Sequence, residues 1–96
     1  MTKTICIIGK EDIPNYEIAR GDVLSNAADI TKRKEDIVRA MKLGNNDHQK
    51  VKIVFETTKG TMAVETTVWE VTENYLILKS NMALPVRCVH RIDFFD

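Results

Sequence analysis

Residues 51–71 read VKIVFETTKGTMAVETTVWEV, and apolar side chains recur in them at alternate positions. Val51, Ile53 and Phe55 would share one face of a strand, because successive side chains of a strand point to opposite faces. The following Thr58-Lys59-Gly60 is typical of a hairpin connection. The pattern therefore predicts two antiparallel strands joined by a tight turn.

The second of these strands, residues 61–71, is longer than the usual five or six residues and changes phase along its length. Met62, Val64, Thr66 and Val68 would face one side of the strand. Trp69 and Val71 would face the other side. A change of face within one strand is what a bulge or a sharp bend produces, so we expect a strongly curved sheet.

Further strands are predicted at residues 75–79, 84–90 and 92–95, with turns at residues 72–74 and at Ser80-Asn81. Pro85 would lie near a strand start or edge. Short strands joined by tight turns predict a small, strongly bent antiparallel β-barrel over about residues 50–95.

A helix is predicted before the barrel, over about residues 26–43. Asn26 is a good N-cap residue, and Gly44 fits the position just after a helix. Ala27, Ile30, Ile37, Val38 and Met41 recur at helical spacing and form one apolar stripe. The fold class is therefore α+β, with the amphipathic helix packed on the barrel.

The 96 residues are predicted to form a single domain whose first part, residues 1–24, is an arm and loop. Residues 4–8 form a β-branched run that favours a strand or an extended arm. Residues 17–24 are ambiguous, although Gly21 argues against a strong helix there.

Charge and cysteine content narrow the classes of function. Lysine plus arginine number 14 and aspartate plus glutamate number 14, so there is no basic excess of the kind that phosphate binding favours. Cys6 and Cys88, both in apolar surroundings, predict buried, reduced thiols. No stretch approaches the roughly 20 apolar residues of a transmembrane helix. We therefore expect a cytoplasmic protein with no membrane partner.

Residues 27–95 resemble the Sm-like and SH3-like small β-barrels in the order and length of their elements. From Gly60 to Leu78 the spacing is close to that of the first Sm motif, and Asn74 lies one position from that motif's asparagine. The resemblance implies a helix followed by five bent strands, and a face that binds single-stranded RNA.

The Sm motif residues themselves are replaced in this chain. Glu65 stands where the motif has its inner glycine, Val71 where it has aspartate, and Arg87-Cys88 where it has an arginine-glycine pair. Because Sm proteins hold uridines through those positions, the family's RNA site is not carried over.

Arg87 and Arg91 are the leading candidates for a ligand or nucleic-acid face. On one regular strand they would point the same way, flanking Val89, and could grip a phosphate or carboxylate. They could equally pair with Glu56, Glu65 or Glu70 on neighbouring strands. His90 would lie at the rim. Trp69 and Tyr75 could stack on bases or belong to the core.

No catalytic constellation, metal motif or phosphate loop is present, which predicts a non-catalytic binding or assembly module without a cofactor. An enzyme would need a pocket that collects His90, Arg87 and Arg91. A protein partner or a second copy of the chain is the expected partner. Ile5, Ile7 and Ile8 could supply a strand for self-association if that strand is unpaired within the monomer. The alternative is a single-stranded RNA or DNA binder that uses Arg87, Arg91 and an exposed aromatic residue.

Overall fold

The computed structural model describes residues 5–18 and 20–95 and confirms the α+β class. Its elements, in chain order, are β1 (Cys6–Ile8), a 3₁₀ helix (Lys10–Asn15), α1 (Ala27–Asp47), β2 (Val51–Thr57), β3 (Gly60–Thr66), β4 (Val68–Val71), β5 (Tyr75–Leu78), a 3₁₀ helix (Lys79–Asn81), β6 (Met82–Pro85), a 3₁₀ helix (Val86–Cys88) and β7 (Val89–Phe94). Among residues 17, 18 and 20–24, which the sequence left ambiguous, none is helical.

The strands divide into two sheets. Sheet A has the order β1-β3-β2-β7, and sheet B has the order β4-β5-β6. All pairings are antiparallel except that of β1 with β3, which is parallel. Within the described residues the hydrogen-bonded ladders do not join the two sheets into a closed barrel.

The predicted long strand at residues 61–71 is in fact two strands, one in each sheet. β3 ends at Thr66 and β4 begins at Val68, so the chain passes from sheet A to sheet B at Thr67. The carbonyl oxygen of Thr67 accepts a hydrogen bond from Lys79 N at 3.0 Å, which holds the corner. The predicted change of phase is therefore confirmed. It has two causes, the passage from sheet A to sheet B at Thr67 and a bulge at Trp69 in β4.

The helix begins where Asn26 predicts. The Asn26 side chain accepts from Ala28 N at 2.8 Å and caps the first turn. The predicted end at residue 43 is wrong, because α1 continues through Gly44 to Asp47. His48 then caps it in the left-handed conformation, with φ 52°.

Gly44 has a packing role inside the helix. A Cβ there would overlap the carbonyl oxygen of Val68 and lie 2.9 Å from Thr67 Cγ2. Glycine therefore lets α1 pack directly on the backbone of β4.

The core lies where α1 and the two sheets meet, since α1 packs on both β4 and β7. Its largest fully buried side chains are Phe55, Ile37, Ile53, Leu76, Leu78 and Leu84. The predicted apolar stripe of α1 is only partly correct. Ile37 is buried and Ile30 is exposed, while Arg33, which is not part of the stripe, is buried.

The N-terminal segment packs on the rest of the domain and does not form the extended arm that the sequence predicted. β1 pairs with β3 in the register Cys6 opposite Met62, and the segment expected to be a loop forms a 3₁₀ helix that buries Ile13. The prediction that Cys6 is buried is wrong, because its strand lies at the edge of sheet A and the thiol is exposed. Cys88 is buried as expected. Residue 4 of the predicted strand, and the rest of residues 1–4, lie outside the described residues.

Candidate functional site

The two candidate arginines do not share a strand. Arg87 lies in the 3₁₀ helix Val86–Cys88, and Arg91 lies in β7. The chain leaves sheet B through the 3₁₀ helix Val86–Cys88 and enters sheet A at Val89. Arg87 and Arg91 therefore do not point the same way from one regular strand, because the 3₁₀ helix that contains Arg87 precedes β7.

His90 and Arg91 have partners of their own. His90 Nε2 lies 3.0 Å from Glu56 Oε1, which also accepts from Thr61 Oγ1 at 2.6 Å. Arg91 Nε pairs with Asp93 Oδ1 at 3.2 Å on its own strand. Glu56, one of the predicted cross-strand partners of the arginines, thus contacts His90.

Arg33 and Asp22 form a bidentate ion pair that the sequence did not indicate. Arg33, 5% exposed, donates to both carboxylate oxygens of Asp22 at 2.8 and 2.7 Å, and to Val89 O at 3.1 Å. The hydrogen bond from Arg33 is the main reason that the pKa of Asp22 lies below its ordinary value. The pair ties the segment before α1 to β7.

The predicted site residues are divided among three surface clefts. Tyr75 and Arg87 line a cleft of about 310 Å³ beside the Asp22–Arg33 pair. His90 and Arg91 line another, of about 360 Å³. Trp69 lines a third and larger one. These clefts therefore separate Arg87 from His90 and Arg91, the residues that an enzyme was expected to need in one pocket.

The outer face of sheet B carries apolar and aromatic side chains, with the exposed Glu70 opposite Ile77 at one side. Leu76, Leu78 and Leu84 are buried, so the alternate residues of β5 and β6 face outward. Tyr75 lies opposite Pro85 and Ile77 opposite Ala83 on this outer face. We call the surface formed by Trp69, Tyr75, Ile77, Ala83 and Pro85 the sheet B face.

Trp69 joins this face through the bulge in β4. Val68 pairs with Leu78 and Glu70 pairs with Ile77, which leaves Trp69 as the extra residue. Its side chain is 44% exposed, and that of Tyr75 is 43% exposed. The sequence identified Trp69 as a candidate from the change of phase, which is the signal that the bulge leaves.

A groove of about 500 Å³ runs between the sheet B face and the C-terminal end of α1. We call it the Trp69 groove. Its lining residues are Met41, Gly44, Asn45 and His48 from the helix end, and Trp69, Glu70, Ile77 and Asn81 from sheet B and its turn. Ser80 and Asn81 both have positive φ, 72° and 61°, so this turn is tightly bent. The sequence pointed to only one of these residues, Trp69, because the others meet only in three dimensions.

Comparison of the chain with family models, curated proteins and solved structures gives no match. Among residues 5–18 and 20–95, no group of three or more histidines, cysteines or acidic residues is placed to hold a metal ion. No helix in the described part of the chain has the length and apolar character needed to cross a membrane.

Proposed function

We propose that the protein is a non-catalytic binding module whose contact surface for a protein partner is the sheet B face. The observation that carries the proposal is the outward placement of Trp69 and Tyr75 on one small sheet. Single exposed apolar residues are ordinary on protein surfaces, whereas adjacent ones mark interaction sites.

The composition of the sheet B face supports a protein partner. Tryptophan and tyrosine are the residues that most often carry the binding energy of protein interfaces. Ile77, Ala83 and Pro85 add apolar side chains to the same face, with Ile77 opposite Ala83 and Tyr75 opposite Pro85. Such a surface gains free energy when a partner removes it from water.

A display experiment tests the proposal. A library of random peptides on phage is selected against the immobilised full chain, and the selected peptides are then measured against Trp69→Ala and Tyr75→Ala. We expect each substitution to weaken binding by roughly tenfold or more, as at interface hot spots. Phe95→Ala is the matched control, because Phe95 is also 43% exposed but lies beyond β7 in sheet A.

Selected peptides that bind all three variants as well as they bind wild type would reject the sheet B face. A selection that yields no specific peptide would also reject it, because an exposed aromatic surface that binds proteins should select one.

Single-stranded nucleic acid is the second candidate ligand, because Arg87 and Tyr75 line the same cleft. The Sm-like order of elements supports nucleic-acid binding if sheets A and B correspond to the two halves of one bent barrel. Tyr75 would stack on a base and Arg87 would contact a phosphate. Glu73 in the same cleft opposes such a ligand.

Fluorescence anisotropy with short poly-U and poly-dT tests this candidate at about 50 mM salt, where phosphate contacts are strong. Arg87→Ala should weaken binding, whereas Arg91→Ala, whose arginine lies in another cleft, should bind like wild type. Absence of binding by wild type removes the candidate. Equal binding by both variants and wild type removes this cleft as the site.

Self-association through the N-terminal strand is proposed on different grounds. β1 is paired with β3 on one side, so the condition that it be unpaired within the monomer is not met. As the outermost strand of sheet A it still has a second edge. That edge could pair with β1 of another copy.

A further inference from the structure

We infer that the Trp69 groove binds a positively charged side chain, arginine or lysine, presented by the protein partner. The inference rests on the proposed function and specifies the chemistry of the partner. Three features of the groove support it independently: its charge, the end of the helix that forms one wall, and the indole of Trp69.

The charge of the lining is negative. Glu70 contributes a carboxylate, and among the residues that the structure describes no lysine or arginine lines the groove. Glu70 forms no ion pair with any described residue, so its charge is available to a ligand. An anionic ligand would be repelled here, whereas a cation would gain a partner.

The helix end adds to the same preference. α1 is 21 residues long, and Asn45 in its last turn lines the groove. The C-terminal end of a helix carries about half a negative charge, because the last carbonyl groups have no partner within the helix. The last turn of α1 contains no basic side chain to offset this charge.

The indole of Trp69 provides a surface for the cation and its stem. A cation over the face of a tryptophan is attracted by the ring electrons, and arginine also stacks on the ring. Met41 and Ile77 form apolar walls along which the methylene stem of arginine or lysine can lie. The chain already makes this contact elsewhere, since the Arg39 guanidinium lies 4.2 Å from the centre of the Phe94 ring.

Trp69 is the only tryptophan in the chain, so its fluorescence reports on the groove directly. The probes are two capped tripeptides, acetyl-Gly-Arg-Gly-amide and the same peptide with citrulline in place of arginine. Citrulline keeps the shape and removes the charge. The titrations are made on the full chain at about pH 8, where histidine side chains are generally neutral.

We expect the arginine peptide to produce a saturable fluorescence change at millimolar concentration and to bind roughly fivefold more tightly than the citrulline peptide. Glu70→Gln should reduce that preference to about twofold or less, and added salt should do the same. Glu65→Gln, which removes an exposed carboxylate from β3, should leave the preference unchanged.

Equal binding of the two peptides to wild type, or a preference that Glu70→Gln leaves intact, would overturn the inference. Either result would leave the proposed protein-binding role of the sheet B face untouched, so the two failures can be told apart. Peptides from the display experiment could still depend on Trp69 and Tyr75 while lacking arginine and lysine.

Discussion

The ion pair between Arg33 and Asp22 contributes stability that depends on pH. Arg33 is buried and donates to both oxygens of Asp22. We expect Asp22→Asn to lower the free energy of unfolding by about 2 kcal/mol near pH 7, because a buried guanidinium loses its counter-charge. The value lies below that for a fully buried pair, since the Asp22 side chain is 34% exposed.

The pH dependence of this effect has a definite sign. The pKa of Asp22 is lowered in the folded chain from the ordinary value of 3.8, so the unfolded chain binds the proton more tightly. The stabilisation is therefore present above about pH 4 and is lost as the pH falls through the folded-state pKa. Urea denaturation at about pH 7 and pH 3 should show a wild-type advantage over Asp22→Asn that shrinks in acid. Asp12→Asn, at an exposed carboxylate, should show no such convergence.

The two cysteines should react at very different rates. Cys6 is exposed, whereas burial raises the pKa of the Cys88 thiol to about 12 and leaves little thiolate. Labelling with Ellman's reagent at about pH 8 should modify one thiol quickly and the second only on unfolding. Cys6→Ser should abolish the fast phase. A fast phase that persists in this variant would mean that the burial of Cys88 is incorrect.

At the scale of elements, the contact between α1 and β4 depends on Gly44. Alanine is the better helix former by about 1 kcal/mol. An added Cβ at this position would meet the Val68 carbonyl oxygen, a backbone atom that cannot turn aside. Overpacking costs about 1–3 kcal/mol, and two atoms obstruct the added methyl group. We therefore expect the cost of the clash to exceed the gain in helix propensity.

We therefore expect Gly44→Ala to lower the free energy of unfolding by about 1 kcal/mol or more, measured by urea denaturation. Asn45→Ala, at an exposed neighbouring position of the helix, should be neutral or slightly stabilising. A Gly44→Ala variant as stable as wild type would mean that the helix does not pack on Val68 in solution.

The ends of the elements show how far the sequence could predict this fold. Asn26 marked the start of α1, because an N-cap is a local hydrogen bond. Gly44 led to a helix end that was predicted too early. A glycine that ends a helix and a glycine that allows a strand to pack closely on the helix look alike in sequence. The phase change before Trp69 was visible, but a bulge within one strand and a change of sheet at Thr67 leave the same local pattern.

The candidate site was predictable to a smaller extent. Trp69 and Tyr75 were identified and do face outward. Arg87 and Arg91 were placed together by assuming a continuous strand, which the turn at residues 86–88 interrupts. Arg33 was not identified, because its partner Asp22 lies in an irregular segment without periodicity.

At the scale of the whole molecule, the open edge of β1 predicts self-association. Ile7 is a large apolar side chain of that edge strand and is 59% exposed. We expect wild type to show a concentration-dependent increase in mass by light scattering, and Ile7→Lys to remain monomeric, because a charge on an edge strand opposes pairing.

Ile30→Lys is the control, since Ile30 is exposed on the helix and not on a strand edge. A point substitution is preferable to deletion of residues 1–9, which would also remove the pairing of β1 with β3. A wild-type chain that stays monomeric at high concentration, or an Ile7→Lys chain that associates equally well, would exclude β1 as the interface.

The parallel pairing of β1 with β3 has a consequence for synthesis on the ribosome. Met62 pairs with Cys6 but follows it by 56 positions in the chain. At about 5–20 residues per second, roughly 3–11 s pass between the synthesis of the two strands. During that interval the first strand waits without its partner while α1 and β2 are made. β1 is therefore synthesised well before the strand with which it pairs, and during that interval its backbone hydrogen-bonding groups are open to chaperones or to other chains.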